Sequence, residues 1–114
     1  MVEHSIDPLD NTFAALSDPT RRAILARLRQ GPATVTELAQ PFTISLQAIS
    51  KHLRVLERAG LLVRKRQGRI HYLRLNPQPL KDATGWLTRY EQFWESQFDA
   101  LDQFLTEIEP DDEP

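Results

Sequence analysis

The chain has 114 residues, of which 40% are hydrophobic and 26% charged, and its formal net charge is −2 at pH 7. This length fits one domain, and no apolar run approaches the roughly 20 residues that a membrane-spanning helix needs. Because the chain contains no cysteine, it has neither a disulfide framework nor a thiolate metal site, and its first ten residues lack the layout of a secretory signal, so we expect a cytoplasmic protein.

Residues 8–30 predict two consecutive helices. The first includes an apolar patch at residues 13–16. The second is expected to begin with Asp18 as its N-cap and Pro19 at its first position, and to stop before Gly31. The apolar positions that we expect to share its buried face are Ala23, Ile24 and Leu28.

Residues 35–59 predict a pair of helices joined by a few residues. The first is short, over about residues 35–40, with Thr34 or Thr36 as its N-cap. Ser45 is a good N-cap for the second helix, which is longer and more basic than the first. The buried stripe of this longer helix, at i, i+4 and i+7, consists of Ile49, Leu53 and Leu56.

Residues 61–75 predict a β-hairpin. Two runs rich in β-branched and apolar residues flank a turn at 67–69, in which Gly68 can take the positive φ of a tight hairpin. Its basic group comprises Arg64, Lys65, Arg66, Arg69 and His71. These side chains can contact a polyanion, or they can simply guard the hairpin edge against pairing with another sheet.

Residues 79–108 return to the helical period, as one long helix or as two helices that break near Gly85. Their many aromatic side chains favour dimerisation, because a small domain has limited surface with which to cover them. Packing on the chain's own domain and ligand binding in a groove between subunits stay open. The residues assigned to the dimer interface are Phe13, Leu16, Trp86, Tyr90, Phe93, Trp94, Phe98, Leu101, Phe104 and Leu105.

The net charge conceals a segregation of charge along the chain. Residues 1–18 hold four acids and no base, and residues 19–76 hold twelve Lys/Arg against two acids. Residues 77–114 hold ten acids against two bases. A basic middle between acidic ends is typical of a protein that binds a polyanion, although a solvated charged face explains any single basic cluster.

The order of short helix, turn, longer helix and basic hairpin predicts a winged helix-turn-helix, mainly α with a small hairpin and the order α-α-α-α-β-β-α, as one domain over residues 1–114. An α-helix fits the major groove of double-stranded DNA, and a β-ribbon reaches the neighbouring backbone. On the longer helix, Gln47 suits adenine, Lys51 suits guanine or the backbone, and Arg54 suits a phosphate. The predicted DNA contacts are Thr36, Ser45, Gln47, Ser50, Lys51, Arg54, Arg58, Arg66, Arg69 and His71.

Three stretches of the sequence resemble the ArsR-type family of winged-helix repressors. They are residues 13–25, 49–62 and 66–69, which read FAALSDPTRRAIL, ISKHLRVLERAGLL and RQGR. The resemblance implies a homodimer whose first and last helices pack across the two-fold axis, and repression by occlusion of an operator. It also implies that Ser50 and Lys51 occupy the base-contacting positions of the recognition helix.

The chain differs from the metal-sensing members of this family. Those members carry a cysteine pair on the helix before the turn, or clustered His and acidic residues on the last helix. Residues 36–40 read TELAQ, and the last helix contains no histidine. The three histidines, His4, His52 and His71, show no ligand spacing, so we expect no metal and no cofactor.

The sequence therefore predicts a repressor that binds a palindromic operator as a homodimer, independently of metal. It carries no cysteine nucleophile, phosphate-binding glycine loop or zinc-protease motif, so we expect no enzymatic activity. Two alternatives stay open. The winged helix can serve as a protein-interaction module, or the aromatic last helix can bind a small effector.

Overall fold

The computed structural model describes residues 7–108; the predicted tail at 110–114 and His4 lie outside this range. The described part contains five helices and three strands. In chain order they are α1 (Pro8–Leu16), α2 (Pro19–Leu28), β1 (Ala33–Thr34), α3 (Val35–Ala39), α4 (Leu46–Arg58), β2 (Leu62–Gln67), β3 (Ile70–Leu75) and α5 (Gln78–Ile108). The mainly helical fold with a basic hairpin is the predicted winged helix-turn-helix.

Side-chain caps start α2 and α4 where they were predicted. The carboxylate of Asp18 accepts a hydrogen bond from the backbone N–H of Arg21 at 3.1 Å. The hydroxyl of Ser45 accepts one from the N–H of Ala48 at 3.0 Å. Each bond satisfies an amide of the first turn that has no partner within the helix.

Thr34 is the N-cap of α3, so the alternative cap Thr36 is wrong. The Thr34 hydroxyl accepts from the N–H of Glu37 at 3.1 Å, and the Glu37 carboxylate accepts from the N–H of Thr34 at 2.8 Å. This reciprocal pair is a capping box, and it leaves Thr36 exposed in the first turn.

The sheet has three antiparallel strands in the order β1-β3-β2, one strand more than predicted. Strand β1 pairs Ala33 with Leu73 and Thr34 with Tyr72, on the side of β3 that faces away from β2. Two residues are too few to show an alternating hydrophobic pattern, which explains why this strand was not predicted.

The predicted hairpin is confirmed. Gln67 pairs with Ile70, so the loop between β2 and β3 consists of Gly68 and Arg69. Gly68 has φ 64, a conformation that residues with a Cβ adopt at a cost.

The hydrophobic core lies within residues 7–83 and contains the predicted stripe of α4. Its fully buried large side chains include Ile24, Leu38, Ile49, Leu53, Leu56, Leu61 and Leu73. In α2 the prediction was wrong at one position, because Ala23 is exposed and Leu25 is buried. Leu28 lies between Ile24 and Leu25 around the helix, about 40° from the first and about 60° from the second, whereas Ala23 lies about 100° from Ile24 on the far side.

Helix α5 is one continuous helix, and Gly85 does not break it. The chain divides into two units within this helix, after Ala83. We call described residues 7–83 the N-terminal unit and described residues 84–108 the C-terminal unit. Ala83 is the buried residue of α5, and most of the C-terminal unit is exposed. Within the described range, no helix combines the length and the apolar character needed to cross a bilayer.

Candidate nucleic-acid interface

The burial of one face of α4 turns a polar and cationic face outward. Ile49, Leu53 and Leu56 are fully buried, so residues about half a turn away from them face solvent. Lys51 and Arg54 are exposed, and Ser50 is half-buried. The predicted contacts that share this outward face are Gln47, Ser50, Lys51, Arg54 and Arg58.

A shallow groove marks the N-terminal end of this face. Leu46, Gln47, Ser50 and Arg54 line it. The hydroxyl oxygen of Ser45 is engaged in the helix cap, but its proton stays available for donation to an anion. The end of α4 that follows Ser45 therefore presents polar, apolar and cationic groups side by side.

A bidentate ion pair joins the hairpin to α4. Nε and Nη2 of Arg64 donate to the two carboxylate oxygens of Glu57, each at 2.9 Å. These hydrogen bonds lower the pKa of Glu57 below its ordinary value and raise the pKa of Arg64. Glu57 is the one acidic residue of α4, so this pairing leaves the outward face of the helix without a competing carboxylate.

The tip of the hairpin holds the remaining predicted contacts. Nε of Arg66 donates to the carbonyl of Gly68 at 2.8 Å, which folds this side chain over the turn. The strand register places His71 opposite Arg66, and its Nδ1 lies 3.5 Å from Nη1 of Arg64. Arg69 lies in the loop and is exposed. The structure thus brings Arg66, Arg69 and His71 into one hairpin end.

Not every Lys or Arg between residues 19 and 76 belongs to this surface. Nη1 of Arg22 donates to the carbonyl of Leu16 at 2.7 Å, and Nη1 of Arg27 donates to that of Gly31 at 3.2 Å. These guanidinium groups satisfy carbonyls at helix ends, where a positive charge also interacts favourably with the helix dipole. The basic residues therefore divide into a helix-capping set and a solvent-facing set on α4 and the hairpin.

His52, on the flank of α4, is half-buried and contacts α2. Its Nδ1 lies 3.2 Å from Nη1 of Arg21 and 3.9 Å from the Asp18 carboxylate. A guanidinium can only donate, so Nδ1 is the acceptor in this contact. Among residues 7–108, no group of three or more His, Cys, Asp and Glu has the arrangement of a metal site.

The predicted dimer residues of α5 share one face of the C-terminal unit. An arc of about 160° around the helix holds twelve residues between 86 and 108. Eleven of them are aromatic or aliphatic, and Gln97 is the exception. Phe98 is 67% exposed and Phe104 55%, while the rings of Trp86 and Tyr90 lie 5.1 Å apart. Glu95, Asp99 and Asp102 occupy the opposite side.

The two predicted dimer residues of α1 differ in exposure. Phe13 is exposed, whereas Leu16 is half-buried and packs against the core of the N-terminal unit. Leu16 therefore has a structural role within its own unit in addition to any role in association.

Comparison with known proteins identifies the family. A family model described as a helix-turn-helix domain matches residues 16–65. The transcriptional repressor SdpR of Bacillus subtilis (strain 168) is 39% identical over 82 residues, which cover 72% of this chain and 91% of the relative. The crystal structure of an ArsR family transcriptional regulator is 42% identical with a TM-score of 0.74, covering 78% of this chain and 98% of that one. The chain belongs to the ArsR family.

A second ArsR-like transcriptional regulator, from Rhodococcus sp. RHA1, is 34% identical with a TM-score of 0.69, covering 85% of this chain and 92% of that one. These relatives are transcriptional regulators, a class without enzymatic activity, and a helix-turn-helix regulator acts by binding DNA. The resemblance drawn from the sequence is thus confirmed, as is the fold that it implied.

Two residues of this ArsR family member were not among the predicted contacts although the geometry gives them a place at the surface. Arg64 was grouped with the basic hairpin, but its ion pair with Glu57 makes it the residue that joins hairpin and helix. Leu46 is the apolar residue at the first position of α4. Its exposure of 55% is what distinguishes it, and the sequence alone carries no signal for that.

Proposed function

We propose that this chain is a homodimeric, sequence-specific repressor that binds a palindromic operator in the cytoplasm without a metal. The observation that carries the proposal is the outward face of α4, a helix with a cationic side, a polar N-terminal end and its one acid held by Arg64. A helix of this kind fits the major groove, and its charge suits the phosphate backbone. Occlusion of an operator then follows from binding itself.

Roles within the interface follow from position along α4. The N-terminal residues of a recognition helix lie deepest in the groove, so we assign base contacts to Gln47, Ser50 and Lys51. Arg54 and Arg58 lie further along and suit phosphates, which position the protein without reading sequence. Ser45 and Thr36 have hydroxyl groups at the two helix starts that suit the backbone on either side of the groove.

The hairpin supplies the second group of contacts. Arg66, Arg69 and His71 lie together at its end, and the ion pair between Glu57 and Arg64 holds its base to α4. This contact joins the hairpin to the recognition helix, and we propose that both reach one DNA duplex. We assign these residues to the backbone or minor groove beside the half-site.

The second subunit is a further copy of this chain, paired through the apolar face of α5. Eleven apolar side chains on one arc are more than a helix of a small unit needs, and most of them are exposed. Arg89 and Glu107 lie on the same flank of that face, eight and ten residues on either side of Gln97. An antiparallel second copy centred on Gln97 brings Arg89 of each copy within two positions of Glu107 of the other, and we propose this direction.

Salt dependence tests the DNA-binding part of this proposal. Anisotropy titration against the upstream region of the protein's own gene should give log K falling against log[salt] with a slope of about −5 to −9, as for roughly 6 to 10 phosphates per dimer. Arg54→Ala should make the slope shallower by about 2, one phosphate per subunit, while Arg29→Ala, an exposed base at the end of α2, should leave it unchanged. A slope near zero for the wild type would contradict the proposal.

Base reading is separated from charge by Lys51→Ala. The loss of a specific contact should cost about 1–3 kcal/mol on the operator and less on random duplex. Footprinting should show two half-sites about 34 Å apart. If Lys51→Ala has no effect while replacement of the α5 aromatics abolishes function, the winged helix serves protein interaction instead.

The absence of cysteine from the chain allows a direct test of the dimer. In an antiparallel pair centred on Gln97, position 90 of one copy faces position 104 of the other. Oxidation of a mixture of Tyr90→Cys and Phe104→Cys should therefore give a mixed disulfide dimer, and Tyr90→Cys alone should give none. A chain that sediments as a monomer at micromolar concentration refutes the dimer, and a Tyr90→Cys homodimer refutes the antiparallel direction.

A further inference from the structure

Leu46 is the most exposed large apolar side chain among described residues 7–83, at 55%. A single exposed leucine is ordinary on a protein surface and needs no explanation by itself. Its position is unusual, because it opens α4 and lines the shallow groove with Gln47, Ser50 and Arg54. The question is what an exposed apolar group does at the edge of a polar, cationic surface.

The start of α4 gives no structural role to Leu46. The buried face of the helix is complete without it, with Ile49, Leu53 and Leu56 fully buried. The positions of a hydrophobic staple, immediately before the N-cap and at the fourth helical residue, belong to Ile44 and Ile49. Ile44 thus has a local explanation that Leu46 lacks.

We infer that Leu46 reads thymine, its side chain contacting the C5-methyl group of a thymine in the major groove. This inference rests on the proposed function, because it needs α4 to lie in that groove. Thymine is the base that presents a methyl group there, whereas a G·C pair presents the N7 and O6 acceptors of guanine and the amino donor of cytosine. A leucine placed against those atoms would remove them from water without replacing their hydrogen bonds, so it disfavours G·C.

The neighbours of Leu46 strengthen this assignment. Gln47 follows it directly and is suited to bidentate pairing with adenine, so the two residues together favour consecutive A·T pairs at the start of each half-site. Arg54 lies two turns further along the same groove and suits a phosphate, which fixes the depth to which the helix end enters. In this arrangement the Leu46 side chain lies against the base edges, and the Arg54 guanidinium lies against the phosphate backbone.

Removal of single methyl groups from the DNA tests the inference. Operator duplexes are first selected from a random pool with the wild-type protein, and each thymine is then replaced by deoxyuridine, which lacks only the methyl. At one thymine per half-site the wild type should lose about 4-fold in affinity, the equivalent of about 0.8 kcal/mol for a methyl-sized group, and about 15-fold when both half-sites are changed.

Leu46→Ala should bind the thymine operator about as weakly as the wild type binds the deoxyuridine one, and should no longer distinguish the two. Because the side chain is exposed and alanine favours helices, the variant should fold, which circular dichroism checks. Ile44→Ala is the matched control: it removes an exposed aliphatic group next to the same helix start and should keep the discrimination between thymine and deoxyuridine.

The outcomes separate this inference from the proposal on which it rests. A wild type that binds the selected operator with a steep salt dependence but is indifferent to deoxyuridine at every position overturns the role of Leu46 alone. Equal sensitivity of the wild type and Leu46→Ala overturns it as well. If the pool yields no preferred sequence and binding to duplex shows no salt dependence, the proposed function fails and the inference fails with it.

Discussion

Helix α4 and the part of α5 from Thr84 onward are both amphipathic, but the apolar face is buried in α4 and exposed in α5. In α4 the apolar stripe is fully buried by the rest of the N-terminal unit, and the exposed face is cationic. In the C-terminal unit the apolar face is exposed, and the other side is acidic. The spacing of apolar residues thus predicts an apolar face in both helices, whereas exposure shows which face is left for a partner: the cationic face of α4 suits a polyanion, and the apolar face of α5 suits a second apolar face.

The largest effect should come from the exposed apolar face. Replacing Phe93 and Phe104 together by serine removes four phenylalanine side chains from a dimer, each contributing about 1.5–3 kcal/mol when buried. Even the lower figure, about 6 kcal/mol in total, raises the dissociation constant by four orders of magnitude. Sedimentation equilibrium measures it. A variant that remains dimeric at micromolar concentration would show that the apolar face of α5 is not the dimer interface.

The buried face of α4 should respond differently. Leu53→Ala leaves a cavity in the core and should lower the free energy of unfolding by about 2–5 kcal/mol in urea titrations. Leu105→Ala deletes a side chain of the same kind from the exposed face. Measured below the concentration at which the protein dimerises, this control should change the free energy of unfolding by less than about 0.5 kcal/mol. Equal losses in both variants would mean that the α5 face is covered within the monomer.

A smaller gain should follow from Gln97→Leu, which removes the polar residue from the centre of the α5 face. A polar side chain at a single interface position specifies register at a cost in stability. The variant should therefore dimerise about 10-fold more tightly and also allow the wrong direction. The second effect is visible when Tyr90→Cys, combined with Gln97→Leu, begins to form its own disulfide dimer. A weaker dimer would show that Gln97 donates or accepts a bond that leucine loses.

The smallest effect belongs to the ion pair between Glu57 and Arg64, since both side chains are partly exposed and such pairs contribute less than about 1 kcal/mol. The pKa of Glu57 is lowered on folding by hydrogen bonds from Arg64, so its contribution is present above the ordinary value of 4.5 and is lost as the pH falls below it. The difference in unfolding free energy between wild type and Glu57→Gln should accordingly be present at pH 7 and decrease as the pH falls below 4.5. A difference that does not decrease below pH 4.5 would contradict this.

Local signals in the sequence were enough for most of the fold. The caps Asp18 and Ser45 each act within three residues, and the loop glycine Gly68 acts at its own position. The stripe of α4 repeats over two turns and therefore shows in the pattern of apolar residues. Such features are visible because cause and effect lie close together along the chain.

Features that depend on distant residues were missed or misplaced. Strand β1 exists because Ala33 and Thr34 pair with β3, about forty residues later, and a two-residue strand has no period of its own. The choice between Ala23 and Leu25 for the buried face of α2 depends on which side of that helix meets the core. The part played by Arg64 depends on a carboxylate that the fold brings from α4. For the candidate site, the sequence supplied the outward residues of α4 but not the exposure of Leu46.

Arg21 joins three helices with a single side chain. It leaves α2 to donate from Nε and Nη2 to the carbonyls of Ala15 and Ala14 at the end of α1, at 2.7 and 3.1 Å, and from Nη1 to His52 of α4. The end of α1 and the flank of α4 are thereby joined through one planar, rigid group. Lysine carries the same charge but has one nitrogen at its tip, which cannot span these three acceptors, so at this position the two cations are not interchangeable.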